Sequence, residues 1–379
     1  MNDADNATEV SRRVAESAMS RYGPALMRWH YEHGLFLQSV FLLGQRTGRD
    51  DYCDYVKSLY DTLITPDGEI LTYRESEFNL DQVNPGKVLF LLREKYGDEK
   101  YRTALDTLRD QLRKHPRTRA GGFWHKQIYP WQMWLDGLYM QGPFYARYAA
   151  TFGGPYEAAA DFDDIVLQFT VMESNARDGE TGLLYHAWDE SREQKWANPD
   201  TGRSPHFWGR AMGWYCMALL DTLDFVPASL PEASEKLSAI ARRLFAPLLK
   251  YRDPQSGLWY QVLDRGGDAG NYLESSASSM FAYFLFKALR LGLVPPDDAG
   301  PVKAAAEKAW RGLLELKVTE DSSGRPHLND VCAVAGLGGN PYRDGSYGYY
   351  VGEPAVADDF KGVGPFILAG MEAAQLIGK

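Results

Sequence analysis

Ser275-Ser-Ala-Ser-Ser-Met-Phe-Ala-Tyr-Phe-Leu-Phe286 carries no charge, and its only polar groups are hydroxyls. It reads as a helix buried on most sides, whose serines and alanines let neighbouring backbones approach closely. Glu99-Lys-Tyr-Arg-Thr-Ala-Leu-Asp-Thr-Leu-Arg-Asp-Gln-Leu-Arg-Lys114 is the opposite kind. Its apolar residues recur at three- and four-residue steps, so one face meets a core and the other meets water. Both kinds recur and alternate along the chain. The charged kind covers about 7–22, 51–64, 99–115, 156–176, 232–251 and 302–317, and the apolar kind about 31–46, 82–96, 130–150, 207–224, 275–292 and 361–377. Six of each in alternation predict a closed repeat with the apolar set inside. That is an all-α (α/α)6 barrel of six helical hairpins, taking residues 1–379 as a single catalytic domain.

Loop lengths break the symmetry of such a barrel. Connections from inner to outer helices are short, as from Gln45 to Asp50 or Tyr96 to Asp98. Those from outer to inner helices are long, about 65–81, 116–129, 177–206, 252–274 and 318–360, and long loops in a compact fold usually carry function. Two share a pattern that reads as a small β-hairpin: Asp178-Gly-Glu-Thr-Gly-Leu-Leu-Tyr-His-Ala-Trp-Asp and Asp253-Pro-Gln-Ser-Gly-Leu-Trp-Tyr-Gln-Val-Leu-Asp. All the long loops fall on one rim, where inner helices begin and their free N–H groups favour anions. The active site is expected there.

Composition narrows the function. Apolar residues make up 45% and charged ones 24%, the profile of a globular soluble chain. A formal net charge of −10 argues against nucleic acid as a partner, and no apolar run reaches the length of a membrane span. With no signal-peptide pattern visible, the reading is cytoplasmic, as a monomer or homodimer. The three cysteines are widely spaced and read as buried reduced thiols. Trp 10 and Tyr 23 supply the aromatic planes on which sugar rings pack.

One inner helix holds an anomaly. His125-Lys-Gln-Ile-Tyr-Pro-Trp-Gln-Met-Trp-Leu-Asp-Gly-Leu-Tyr-Met-Gln-Gly-Pro-Phe-Tyr145 reads as a helix opened by Pro130, and places Asp136 in the middle of an apolar run. Burying an unpaired carboxylate costs several kcal/mol or raises its pKa, so such an acid is paired or does chemistry. Gln132 and Met140 would share its face at four-residue steps, with His125 and Tyr129 in the rim loop and first turn. Asp81, opening the preceding inner helix in Asn79-Leu-Asp-Gln-Val-Asn-Pro-Gly-Lys, reads equally as an N-cap or a working acid. His206, Arg210 and Trp214 in Pro205-His-Phe-Trp-Gly-Arg-Ala-Met-Gly-Trp are spaced to share a face. Arg210 there reads as a guanidinium aimed at a ligand carboxylate, or as an internal ion pair, even with Asp136 itself. His186 lies in the preceding loop between Tyr185 and Trp188. No phosphate loop, metal-binding His-Glu-x-x-His or Gly-x-Ser-x-Gly elbow is present in the sequence.

In these three blocks the chain resembles glycoside hydrolase family 105, the unsaturated rhamnogalacturonyl hydrolases, and is similar to the related family 88 unsaturated glucuronyl hydrolases. The segment around Asp136 is the most specific match, and the blocks run in order through nearly the whole chain. The resemblance implies an (α/α)6 barrel. It also implies an oligosaccharide substrate ending in a 4-deoxy-Δ4,5-unsaturated uronic acid, typically linked to rhamnose. The implied reaction hydrates the C4=C5 vinyl ether, with Asp136 giving a proton to C4, so the carboxylate-spacing rule for ordinary glycosidases does not apply. By motif position Asp81 would assist, and His125, His186, Trp208, Arg210 and Trp214 would form the sugar subsite, with Tyr129 and Gln132 beside them. No metal or organic cofactor is implied. The long loop 318–360, with Asp344, Tyr347, Tyr349, Tyr350 and Glu353, would shape the leaving-group subsite. Other readings are a glucuronyl hydrolase with the same chemistry, a sugar epimerase or isomerase using His125 and His186 as acid and base, and a non-catalytic carbohydrate-binding protein.

Overall fold

A computed structural model describes residues 3–377. Thirteen α-helices are described: α1 (Asp3–Met19), α2 (Tyr31–Thr47), α3 (Asp50–Tyr60), α4 (Gly86–Tyr96), α5 (Lys100–Lys114), α6 (Leu135–Phe152), α7 (Pro155–Ala176), α8 (Gly209–Leu223), α9 (Pro231–Tyr251), α10 (Ser275–Arg290), α11 (Pro296–Leu316), the short α12 (Tyr347–Gly352) and α13 (Phe360–Leu376). The even-numbered helices through α10, completed by α13, form the inner ring: α2 packs on α4, α4 on α6, α6 on α8, α8 on α10, α10 on α13, and α13 back on α2. Each inner helix is backed by an outer one, and α13 is backed by α1 from the other end of the chain. This is the (α/α)6 barrel that the alternation predicts. Every residue of α10 from Ser275 to Ala288 is buried, while α5 keeps its charged face in water.

The seam between α1 and α13 is tight. A Cβ added to Gly370 would lie 1.9 Å from Ser11 Oγ and 2.8 Å from the Trp310 ring, so only glycine lets these helices approach.

Three inner helices start later than their apolar patterns suggest. Residues 130–134 are not helical: Trp131 has φ +65°, and Gln132–Trp134 form a strand, β1, pairing antiparallel with β2 (Ala187–Asp189). Pro130 and Gln132 therefore lie outside α6, and Gln132 does not share a helix face with Asp136. Residues Leu80–Gln82 form a single 3-10 turn before α4, and Asn79, not Asp81, caps it, accepting from the Asp81 N–H at 3.0 Å. α8 begins only after Trp208, which has extended backbone, so His206 is a loop residue and does not share the face of Arg210 and Trp214. Before α6 and α8 the rim loops take the first apolar residues for their own pairing, and before α4 those residues fold into tight turns.

The two similar loops fold alike. The Asp178 N–H donates to Leu183 O at 2.8 Å and the Asp253 N–H to Leu258 O at 2.7 Å, while each Asp side chain accepts from Thr181 or Ser256. Gly182 (φ +74°) and Gly257 (φ +80°) occupy the left-handed position that closes each turn. The rim ribbon β1–β2 is not a hairpin, since it joins two different loops. The opposite end of the barrel carries a buried ion-pair cluster: Lys287 Nζ lies 2.6 Å from both Asp221 and Asp224, near the C-termini of α10 and α8.

Gly370→Val should destabilise the protein by about 1–3 kcal/mol through overpacking at this seam. Gly23→Ala, where an added Cβ meets nothing within 4 Å, should change stability by less than about 0.5 kcal/mol. Urea unfolding of both variants checks this, and equal effects would mean that the seam is not tight.

Candidate active site

The rim gathers two acids of different circumstance. Asp81 is 8% exposed, its Oδ2 lies 2.5 Å from Lys126 Nζ, and its Oδ1 lies 3.7 Å from His125 Nε2. Burial works to raise its pKa, but Lys126 and His125 outweigh it and hold the carboxyl below its usual range. Asp81 is therefore ionised. Lys126 is in turn kept protonated, Asp81 overcoming the burial that opposes its charge.

Asp136 stands in the first turn of α6. Its neighbour is His186: Nε2 lies 3.2 Å from Asp136 Oδ2. The two atoms are close but misaligned, and neither completes a hydrogen bond. His186 is fully buried, and its Nδ1 lies 2.8 Å from the hydroxyl of Tyr350 on α12. The ring sits between Trp208 (centroids 4.8 Å apart) and Trp134 (5.2 Å).

Arg210 does not neutralise Asp136. Its guanidinium donates to the carbonyl of Cys332 and reaches Ser276 Oγ at 3.5 Å, while its buried Nε has no partner. Burial opposes its charge, yet Cys332 and Glu274 nearby push its pKa upward, so it is a fixed cation. It lies over Trp208, 4.9 Å from the ring centroid. Trp214 stacks on Tyr139 at 4.7 Å and meets the edge of Tyr31, whose hydroxyl senses Asp81, Arg210 and Asp136.

A second aromatic wall comes from the β1 loop. His125, Trp134 and Tyr129 are parallel to within 17°, with centroids 4.6 Å and 4.9 Å from Trp134. The Tyr129 hydroxyl accepts from Arg343 Nη2 at 2.8 Å, which ties the loop 318–360 to this wall. Gln132 is buried, and its Oε1 accepts from Trp134 Nε1 at 3.1 Å, so it steadies the wall. Burial pushes His125 down to about 4, so this ring is neutral at physiological pH.

Of the sequence candidates, Asp81 and His125 form one group with Lys126. Asp136, His186 and Trp208 form a second, and Arg210, Trp208 and Trp214 line a third side. Lys126, Trp134, Tyr31, Tyr139 and Arg343 were missed. The first two sit beside chosen residues and could have been found there, but Arg343 arrives from 214 positions away and carries no local signal.

Residues 9–377 match the model of Glycosyl Hydrolase Family 88. The chain belongs to this family. A glycoside hydrolase from family 105 of C. acetobutylicum has the same fold with a TM-score of 0.92, at 46% identity over 97% of this chain and 99% of that one. Protein Atu3128 of Agrobacterium fabrum is 44% identical over 236 residues, 62% of this chain and 98% of its own. The unsaturated rhamnogalacturonyl hydrolase YesR of Bacillus subtilis is 29% identical over 295 residues, 76% of this chain and 78% of its own. The unsaturated glucuronyl hydrolase of Bacillus sp. GL1 shares the fold at a TM-score of 0.66 and 14% identity, covering 99% of this chain and 97% of that one. As a family 88/105 glycoside hydrolase, the protein has the rim just described as its candidate catalytic face.

The neutral His125 has a measurable consequence. Unfolded histidine takes a proton near 6.5, whereas folded His125 resists until about 4. Between those values the unfolded state binds more protons, so stability falls as pH drops, by up to about 1.4 kcal/mol per pH unit. His125→Gln should flatten the slope of unfolding free energy against pH in that window relative to wild type. Identical slopes would show that His125 is not held neutral.

Proposed function

We propose that this glycoside hydrolase removes a terminal 4-deoxy-Δ4,5-unsaturated galacturonic acid from rhamnogalacturonan-derived oligosaccharides, with Asp136 as the proton donor. One observation carries the assignment of roles. The cations at the rim are already placed, Lys126 on Asp81 and Arg210 on the Cys332 carbonyl, so Asp136 alone faces a histidine and no fixed cation. Two carboxyl groups in such different surroundings divide the work of acid and ionised partner. An acid bridged to arginine would be a poor donor, and Asp136 is free of that.

In this reading Asp136 delivers its proton to C4 of the vinyl ether. Positive charge develops at C5, shared with the ring oxygen, and water adds there while its surplus proton returns to the Asp136 carboxylate. The resulting hemiketal opens to a ketone at C5, and the anomeric carbon releases the neighbouring sugar as its alcohol. Ionised Asp81 stabilises the developing charge and orients water. Trp208, Trp214 and the Trp134–Tyr129 wall supply faces for the sugar ring, and the Arg210 guanidinium over Trp208 supplies a fixed positive charge that favours the uronate carboxylate. The galacturonyl preference rests on the YesR likeness.

Wild-type protein should bleach the absorbance band of the conjugated enol acid in lyase-generated unsaturated disaccharides, galacturonyl-rhamnose fastest. Asp136→Asn should lower kcat by roughly 10²–10⁴-fold. In heavy water, deuterium should appear at C4. Label confined to the anomeric centre, or a band that persists on every unsaturated uronide, would overturn the mechanism. Arg210→Lys keeps the charge but loses the planar fork, and should raise KM more than it lowers kcat.

A further inference from the structure

The histidine beside Asp136 is itself held. His186 is fully buried, Trp208 and Trp134 flank its ring, and its two nitrogens meet one group each: Asp136 Oδ2 at Nε2 and the Tyr350 hydroxyl at Nδ1. Tyr350 is also fully buried, on a short helix within the long loop before α13. Its backbone carbonyl accepts from Gln261 Nε2 at 3.1 Å, the same Gln261 whose Oε1 accepts from Trp208 Nε1. The phenol is thus fixed to the wall of the site by its own backbone and by packing on Trp208, with centroids 6.0 Å apart.

Which atom donates follows from what each has available. Among the described residues the Tyr350 hydroxyl has no hydrogen-bond partner besides His186 Nδ1. If Nδ1 carried the proton and donated it, the phenolic hydrogen would be left in a dry pocket without an acceptor. The bare Nε2 would then face Asp136 Oδ2 lone pair to lone pair across 3.2 Å whenever that carboxyl is ionised. With Tyr350 as donor, both conflicts vanish.

We propose that Tyr350 is a positioning residue: its hydroxyl donates to His186 Nδ1 and so keeps the imidazole proton on Nε2, the nitrogen 3.2 Å from Asp136 Oδ2. This rests on the reading of Asp136 as proton donor. Oδ2 is the enclosed oxygen of that carboxyl, so an Nε2–H facing it reserves Oδ1 for the acid proton. After the proton has gone to C4, the same Nε2–H meets the new carboxylate. Without the phenol, His186 can shift its proton to Nδ1 and accept from Oδ2, which stores the acid proton on the wrong oxygen. The other titratable or charged groups facing this chain are Tyr31 from α2, pushed well above its usual value by burial, His125 from the β1 loop, and Tyr349, Arg343 and Cys332 beyond the Tyr350 hydroxyl. His125 titrates near 4, and burial pushes the Tyr349 hydroxyl well above its usual value, so both lie outside the working range.

Tyr350→Phe keeps the ring on Trp208 and removes only the hydroxyl. It should lower kcat on unsaturated disaccharides at least about tenfold, with the alkaline limb of the kcat–pH profile moved upward and KM little changed. In a His186→Gln background the same substitution should have no further effect, because the two residues act as one unit. A fall in kcat with an unmoved alkaline limb, or an equal fall in the His186→Gln background, would mean the hydroxyl is only structural. Nitrogen-15 spectra of labelled histidine, assigned against His186→Gln, read the tautomer without any substrate. Wild type should show His186 protonated at Nε2 and Tyr350→Phe a shift toward Nδ1, whereas a wild-type Nδ1 proton overturns the inference even if turnover on these sugars is found. Wild-type protein with the Nε2 tautomer but no turnover would sustain the positioning and overturn the proposed substrate instead.

Discussion

A helix that is apolar on all sides has no surface to offer water, so it can exist only when other helices surround it. Six such helices in one chain have few ways to satisfy one another, and the closed ring is the one in which each has two inner neighbours and an outer helix behind it. The short inner-to-outer connections then force all inner helices to start at the same end. Everything functional in this protein follows from that shared end. The long loops can only gather there, and there the helix N-termini, the aromatic walls and both rim carboxylates come together.

Charge placement divides the molecule along the barrel axis. At the far end, Lys287 and two aspartates form a closed set near the helix C-termini, where a cation is favoured. At the rim, Lys126 and Arg210 are each anchored to something other than Asp136. The rim is therefore an arrangement in which one acid is committed to the ionised form and the other has only imidazole for company. A histidine is a softer neighbour than a guanidinium, because it can give or take a hydrogen bond without carrying charge.

The fold was legible because helical periodicity is local and the two helix types differ in composition over whole turns. Ser275–Phe286 and Glu99–Lys114 could not be mistaken for each other. Asp136 was legible for the same reason, as one carboxylate in an apolar run. What misled was the first turn of each inner helix. Residues such as Gln132, Trp134 and Trp208 look apolar or helical in sequence, yet they serve the rim loops through strand pairing and backbone bridges, which periodicity cannot distinguish from a helix start. The partner of Arg210 was out of reach altogether, since the Cys332 carbonyl is a backbone atom and advertises nothing in its side chain. Tyr350 stood among the residues of the last long loop, but nothing nearby marked it as the one that meets His186.

Because α13 is the wedge between α10 and α2, the ring is an arc until the last of its staves is in place. During synthesis the flanks of α2 and α10 wait, uncovered and greasy, for a segment encoded more than 300 positions after α2 begins. Contacts of such separation in sequence form late and slowly, and the open arc is the species that would stick to another copy of itself. The architecture that shelters the rim so completely in the finished enzyme thus leaves its longest vulnerability to the moments before closure, when a neighbouring chain can offer the missing stave.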